Sequence, residues 1–132
     1  MISRARVSRA FTLFALLALL PSCSAPSEPD LPETPPESGE TLTVTATAQD
    51  TFTPSLSTVG VGTRVTFVNG GGTHNVHMSG LTGLRCAVSC DGAGNGDPSS
   101  QLWSFSFVLA NPGTLDFVCD EHPTQTGQII VQ

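Results

Sequence analysis

From residue 41 onward, apolar and polar positions alternate with the period of two that marks half-buried strands. In 41–48 (TLTVTATA), Leu42, Val44, Ala46 and Ala48 alternate with threonines. Phe52 and Pro54 mark a break, and a second extended stretch runs to Val61. Gly60 and Gly62 punctuate a turn, and 63–68 (TRVTFV) sets Val65 and Phe67 on one face. Asn69-Gly70-Gly71-Gly72 is a further turn, followed by a short strand edge from Thr73 to Met78. In 102–109 (LWSFSFVL), Trp103, Phe105 and Phe107 share a face. After the turn at Asn111-Pro112-Gly113, Leu115 and Phe117 fall on the face of Cys119, and a last strand occupies 127–132. No helical spacing is sustained over three turns beyond the first 40 residues. Short strands between turn signals predict an all-β antiparallel sandwich or barrel. Its predicted core is Phe67, Trp103, Phe105, Phe107, Leu115 and Phe117.

Two stretches lack this alternation. Residues 79–100 are rich in Gly, Ser, Asp and Asn, which predicts a long surface loop. Residues 24–40 (SAPSEPDLPETPPESGE) hold five of the ten prolines and one sizeable apolar side chain. That composition buries too little surface to fold. It predicts an extended spacer of up to roughly 50 Å, at about 3.1 Å per residue.

The first 22 residues have a different character. Arg4, Arg6 and Arg9 precede a ten-residue apolar run from Phe11 to Leu20, too short to span a bilayer permanently. Leu20-Pro21-Ser22-Cys23 then resembles a bacterial lipobox. The expected organisation is a lipoprotein signal peptide (1–22), a lipidated Cys23 with its acidic, proline-rich tether (23–40), and one small domain (41–132). An ordinary secretory signal with a chance cysteine is the alternative. Cleavage would leave Arg64 and Arg85 against eleven acidic residues, a formal charge of −9 with no lysine. Such a surface argues against nucleic acid and anionic lipid as partners, and suits a basic or neutral one.

An exported chain keeps disulfides, so the four cysteines carry information. With Cys23 assigned to lipid, Cys86 and Cys90 are near neighbours with the spacing C-x3-C. They are expected to bridge; a second metal site is the alternative, although no histidine lies near them in sequence. Cys119 is then left over, and metal coordination would explain an unpaired thiol.

Cys119 opens the run Cys119-Asp120-Glu121-His122-Pro123-Thr124-Gln125, spaced C-x2-H-x2-Q between two β-rich stretches. A soft sulfur with imidazole nitrogens and a weak axial group suits copper. That set lacks a second histidine, and the chain offers Gly71-Gly72-Thr73-His74-Asn75-Val76-His77-Met78.

THNVHM, followed by NPGTLDFVCDEHPTQTGQIIV, resembles the cupredoxins, small blue copper proteins of the plastocyanin and amicyanin kind. The upstream FTPSLSTVGVGTRVTFVN is similar as well, so the resemblance spans about residues 43–132. It implies a Greek-key β-sandwich and one type 1 copper ion held by His74, Cys119 and His122. Asn75 matches the asparagine that ties the family's two ligand loops. His77 is read as a strand side chain on the opposite face. Where the family carries methionine this chain has Gln125, the residue that stellacyanin-type members use axially. The alternatives at that position are a glycine-loop carbonyl or no axial ligand.

A harder amide oxygen favours Cu(II), and Asp120 and Glu121 beside Cys119 push the same way, so a low potential is expected. The resemblance further implies transient redox protein partners docking at the His122 edge beside Pro123, a cell-envelope location, and no enzymatic activity. Two rival functions are a copper chaperone or store and a metal-free adhesin with a Cys90–Cys119 type disulfide.

Overall fold

The computed structural model describes residues 37–91 and 94–132. The signal segment, Cys23 and most of the tether lie outside the described residues. Alternation becomes structure in nine strands: β1 (Thr41–Ala46), β2 (Phe52–Thr53), β3 (Leu56–Val59), β4 (Arg64–Asn69), β5 (Val76–Gly80), β6 (Arg85–Cys86), β7 (Ser104–Val108), β8 (Gly113–Val118) and β9 (Thr126–Val131). They form a four-stranded sheet, ordered β2-β1-β4-β7, and a five-stranded sheet, ordered β3-β9-β8-β5-β6. The fold is all-β, as the periodicity predicts, but its sheets are mixed. β1 runs parallel to β4 and β3 parallel to β9, while the other ladders are antiparallel. Alternation fixes which face a residue takes, not the direction of the neighbouring strand, so the parallel pairs were invisible in the pattern.

The inward faces supply the core. Val44, Val65, Phe67, Leu115, Phe117, Ile129 and Val131 are buried, and Phe117 meets Phe67 and Phe52 edge to face. Trp103 is buried, whereas Phe105 and Phe107 are partly buried and stack on Phe67 from β7, an outer strand of its sheet. The 79–100 stretch departs from its expectation of a surface loop. It contains β6, which pairs with β5, and it sends Cys86 and Ala87 into the core. Cys86 and Cys90 form a disulfide.

Register places the chain ends of this sandwich. Ala46 pairs with Asn69 and Phe52, Val68 with Ser104, and Val118 with Thr126. The turns after β1, β4 and β8 and the segment before β7 therefore gather at one end. Every candidate ligand lies in those turns. Thr41 pairs with Arg64 at the other end, where Ser38 N–H donates to Gly62 O at 2.9 Å.

Candidate metal centre

The turn after β8 closes on itself. Cys119 N–H donates to Gln125 O at 3.0 Å, and Gln125 N–H donates to His122 O at 2.8 Å. The thiol, the imidazole and the amide of the C-x2-H-x2-Q run are thus presented by one hydrogen-bonded loop. His74 arrives from the turn between β4 and β5. Its backbone bridges Ser99 in both directions, at 3.2 and 3.0 Å, and its carbonyl accepts from Trp103 Nε1–H at 3.2 Å. Trp103 is therefore a support of the site as well as a core residue.

The His74 ring is oriented by the glycine turn, where its Nε2 lies 2.9 Å from Gly71 O. A carbonyl only accepts, so Nε2 carries the hydrogen and Nδ1 keeps its lone pair. That Nδ1 lies 3.9 Å from Cys119 Sγ, and His122 Nδ1 lies 3.7 Å from the same sulfur. A Cβ at Gly72 would come within 2.5 Å of His74 Nε2, and φ there is +96°, so this position admits only glycine. The carbonyls of the glycine turn are engaged within the protein, Gly71 O by His74 and Gly72 O by Asn69 Nδ2–H at 3.2 Å.

Cys119 and His74 are fully buried, His122 is partly exposed, and their three donor atoms lie within 4.8 Å of one another. The spacing suits a metal. For a central ion with ligand bonds of about 2.3 Å to sulfur and about 2.05 Å to nitrogen, trigonal angles put sulfur and nitrogen about 3.8 Å apart. The observed 3.7 and 3.9 Å fall on either side of that value. Gln125 adds a second indication. Its side chain is buried, and neither Oε1 nor Nε2 has a hydrogen-bond partner. Buried amides are rarely orphaned, and an absent ion is one of the few reasons for it.

Asn75 joins the two ligand loops. Its Nδ2–H donates to Asp120 Oδ2 at 2.6 Å and to Gly96 O at 2.8 Å, while its Oδ1 accepts from Asp120 N–H at 2.8 Å. His77 points away from the ligands, half exposed, with Nδ1 2.9 Å from Asp120 Oδ1. Arg85 Nε–H donates to Asp120 Oδ2 at 2.6 Å, and its guanidinium also pairs with Asp97. Burial pushes the Asp120 carboxyl up, but donors from Asn75, His77 and Arg85 outweigh it and bring its pKa down to about 2.

Cys119 is the free cysteine among the described residues, since Cys90 is bonded to Cys86. A Cys90–Cys119 bridge does not form, and neither does a metal site at the Cys86–Cys90 pair. Sequence reasoning missed two features of this end. One is the Arg85–Asp120 ion pair, 35 residues apart in sequence. The other is Asp50, whose Oδ1 lies 3.5 Å from His122 Nε2. Neither leaves a signal in spacing or periodicity.

No protein-family model matches the sequence, and no curated sequence is significantly similar to it. Solved structures do resemble it. A Cu(I) form of an amicyanin variant with glutamine in place of a methionine is 27% identical, at a TM-score of 0.50, over 70% of this chain and 82% of that one. A reduced amicyanin variant with phenylalanine in place of a proline is 25% identical, at a TM-score of 0.51, over 71% and 83%. The purple cupredoxin from Nitrosopumilus maritimus is 19% identical, at a TM-score of 0.50, over 68% and 98%, a likeness of fold. With these likenesses to its two mixed sheets, the chain has the cupredoxin fold.

Proposed function

We propose that this protein holds one copper ion through Cys119 Sγ, His74 Nδ1 and His122 Nδ1, with Gln125 Oε1 as the weak axial donor, and that it carries single electrons. What carries the reading is the pair of 3.7 and 3.9 Å separations between one buried thiol and two imidazole nitrogens. One thiolate, two imidazoles and a weak axial group form the donor set of blue copper sites. The orphaned Gln125 amide supports the fourth position. Bound copper would supply one-electron exchange between Cu(II) and Cu(I).

The residues do the rest. Gly71 holds the His74 ring in one tautomer, and Trp103 fixes that residue's backbone. Asn75 and Arg85 clamp Asp120, and with it the Cys119 loop. A site braced in this way would reorganise little on gaining an electron. The partly exposed His122 is the route out to a partner. Gln125, as a harder donor than a thioether, favours the oxidised ion and a low potential. Asp120 adds less to that effect than its position suggests, because Arg85 offsets its charge.

The organisation read from the first 40 residues belongs to the same proposal. It is a signal peptide over 1–22, a lipid on Cys23, and a tether leading to a cell-envelope domain that meets redox proteins briefly. Copper reconstitution followed by visible absorption and paramagnetic resonance tests the centre. An intense thiolate-to-copper band with a narrow hyperfine splitting is expected. Colourless binding, or ready loss of Cu(I) to a chelator without reversible electrochemistry, would point to a copper carrier instead.

A further inference from the structure

The outer edges of both imidazoles face one carboxylate that belongs to neither ligand loop. Asp50 Oδ1 lies 3.5 Å from His122 Nε2 and 3.9 Å from His74 Nε2. The two contacts differ in kind. His74 Nε2–H is already committed to Gly71 O, so Asp50 acts on that ring only through space. His122 Nδ1 lies 3.7 Å from Cys119 Sγ, and with that nitrogen given to an ion the hydrogen of the ring would sit on Nε2. Among the described residues, Asp50 is the acceptor that faces it.

Asp50 is held there by its own turn. Register sets Ala46 opposite Phe52, so the β1–β2 turn reaches the ligand end. Thr47 N–H donates to Thr51 O at 2.8 Å, Asp50 N–H donates to Thr47 O at 3.0 Å, and the two threonine hydroxyls pair at 2.8 Å. Asp50 has φ 56°, the left-handed region that few non-glycine residues enter. Glycine would take that conformation at no steric cost, so the turn alone does not call for a carboxylate. Among the described residues, the basic side chains that come near the Asp50 carboxylate are the two imidazoles.

We propose that Asp50 is a positioning residue of the metal centre. Its carboxylate, facing the outer edge of His122, favours the ring orientation with Nδ1 toward Cys119, and its charge would stabilise the more positive oxidation state of a bound ion. Carboxylates behind metal-ligating histidines act in this way, and losing one costs about 10- to 100-fold in metal affinity. At 3.5 Å the contact is longer than a formed N–H···O hydrogen bond, so in this structure Asp50 acts on the ring through its charge. The inference rests on the copper reading above.

Two variants separate orientation from charge. Asp50→Asn keeps an acceptor and tolerates the left-handed turn but removes the charge; Asp50→Ala removes both. In apo-protein, nitrogen-resolved NMR should find His122 in its Nε2–H tautomer in the native chain and in Asp50→Asn. A mixture of tautomers is expected in Asp50→Ala. In copper-loaded protein, both variants should lower the Cu(II)-over-Cu(I) affinity ratio by about tenfold, a rise of about 59 mV for a one-electron couple. Asp116→Asn, the same charge change on a residue bonded to Gln128, should match the native potential. Potentials of the Asp50 variants equal to that of Asp116→Asn would overturn the proposal. So would a native tautomer in Asp50→Ala. If no copper binds, the function proposed above fails, and the apo tautomer still decides on Asp50.

Discussion

Gln125 is enclosed by protein, yet neither end of its amide finds a partner. In the metal-free chain that arrangement costs roughly 1–3 kcal/mol, the desolvation of a buried group left unpaired. Gln125→Met, close in size and free of hydrogen-bonding groups, should therefore stabilise the apo-protein by about that amount in denaturant unfolding. The same substitution should raise the potential of the copper form in voltammetry. A gain in apo stability without a rise in potential would detach Gln125 from the metal. Asp120 has an effect of opposite sign. Its carboxyl is held at about 2, so it contributes stability that is complete above about pH 4 and is lost as pH falls through about 2. The loss should amount to about 2 kcal/mol at most. Unfolding curves of apo native chain and Asp120→Asn should converge toward pH 2 and separate above pH 4. Much at this scale was legible beforehand. C-x2-H-x2-Q is a weak signal on its own, and the His-Asn-Val-His run, once likened to a family, adds the distant histidine that the fold brings beside Cys119. Asp50 was not legible, because a turn aspartate usually bonds its own backbone and nothing in its spacing points across the fold.

At the scale of elements, the short strand β6 does more than its two residues suggest. It pairs Cys86 with Val76 and Arg85 with His77, buries the disulfide half-cystine, and aims Arg85 at Asp120. The glycine-rich composition around it concealed this. The sequence offers one cysteine pair amid loop residues, and the burial of Cys86 arises from β5, which no local pattern discloses. Closing so short a loop is worth about 2 kcal/mol in the chain-entropy account. Replacing Cys86 and Cys90 by alanine and serine should lower stability by about that much. It should also release Arg85 and broaden the Asp120 amide signal in NMR. An unchanged Asp120 signal would show that β5 alone holds β6 in place. The direction of the strands was equally hidden. TLTVTATA reveals which residues face inward, and Val44 and Ala46 do. The partner that makes β1 parallel lies about 23 residues on, with β2 and β3 between.

Over the whole molecule, the charge matters more than any single pair. A mature chain starting at Cys23 would carry two arginines against eleven acidic residues. One arginine is held by Asp120 and Asp97, the other by Glu37. The free surface is therefore anionic, and its association with a cationic redox partner should slow steeply as salt is added. The bimolecular electron-transfer rate against ionic strength measures this, and a flat dependence would exclude electrostatic steering.

The parallel pairing of β1 with β4 also settles a matter of reach. The chain enters the sandwich at Thr41, opposite the turns that carry Cys119, His74 and His122. Six strand residues, roughly 20 Å, separate that entry from the ligand end. An anchor upstream, as proposed, would hold the domain by its far pole and leave the ligand end to sweep outward. Glu37 and Ser38 are fixed to the domain through Arg64 and Gly62, which would leave residues 24–36 as spacer, up to roughly 40 Å at about 3.1 Å per residue. A partner moored to the same membrane would meet that pole at raised local concentration, so brief, weak docking would suffice.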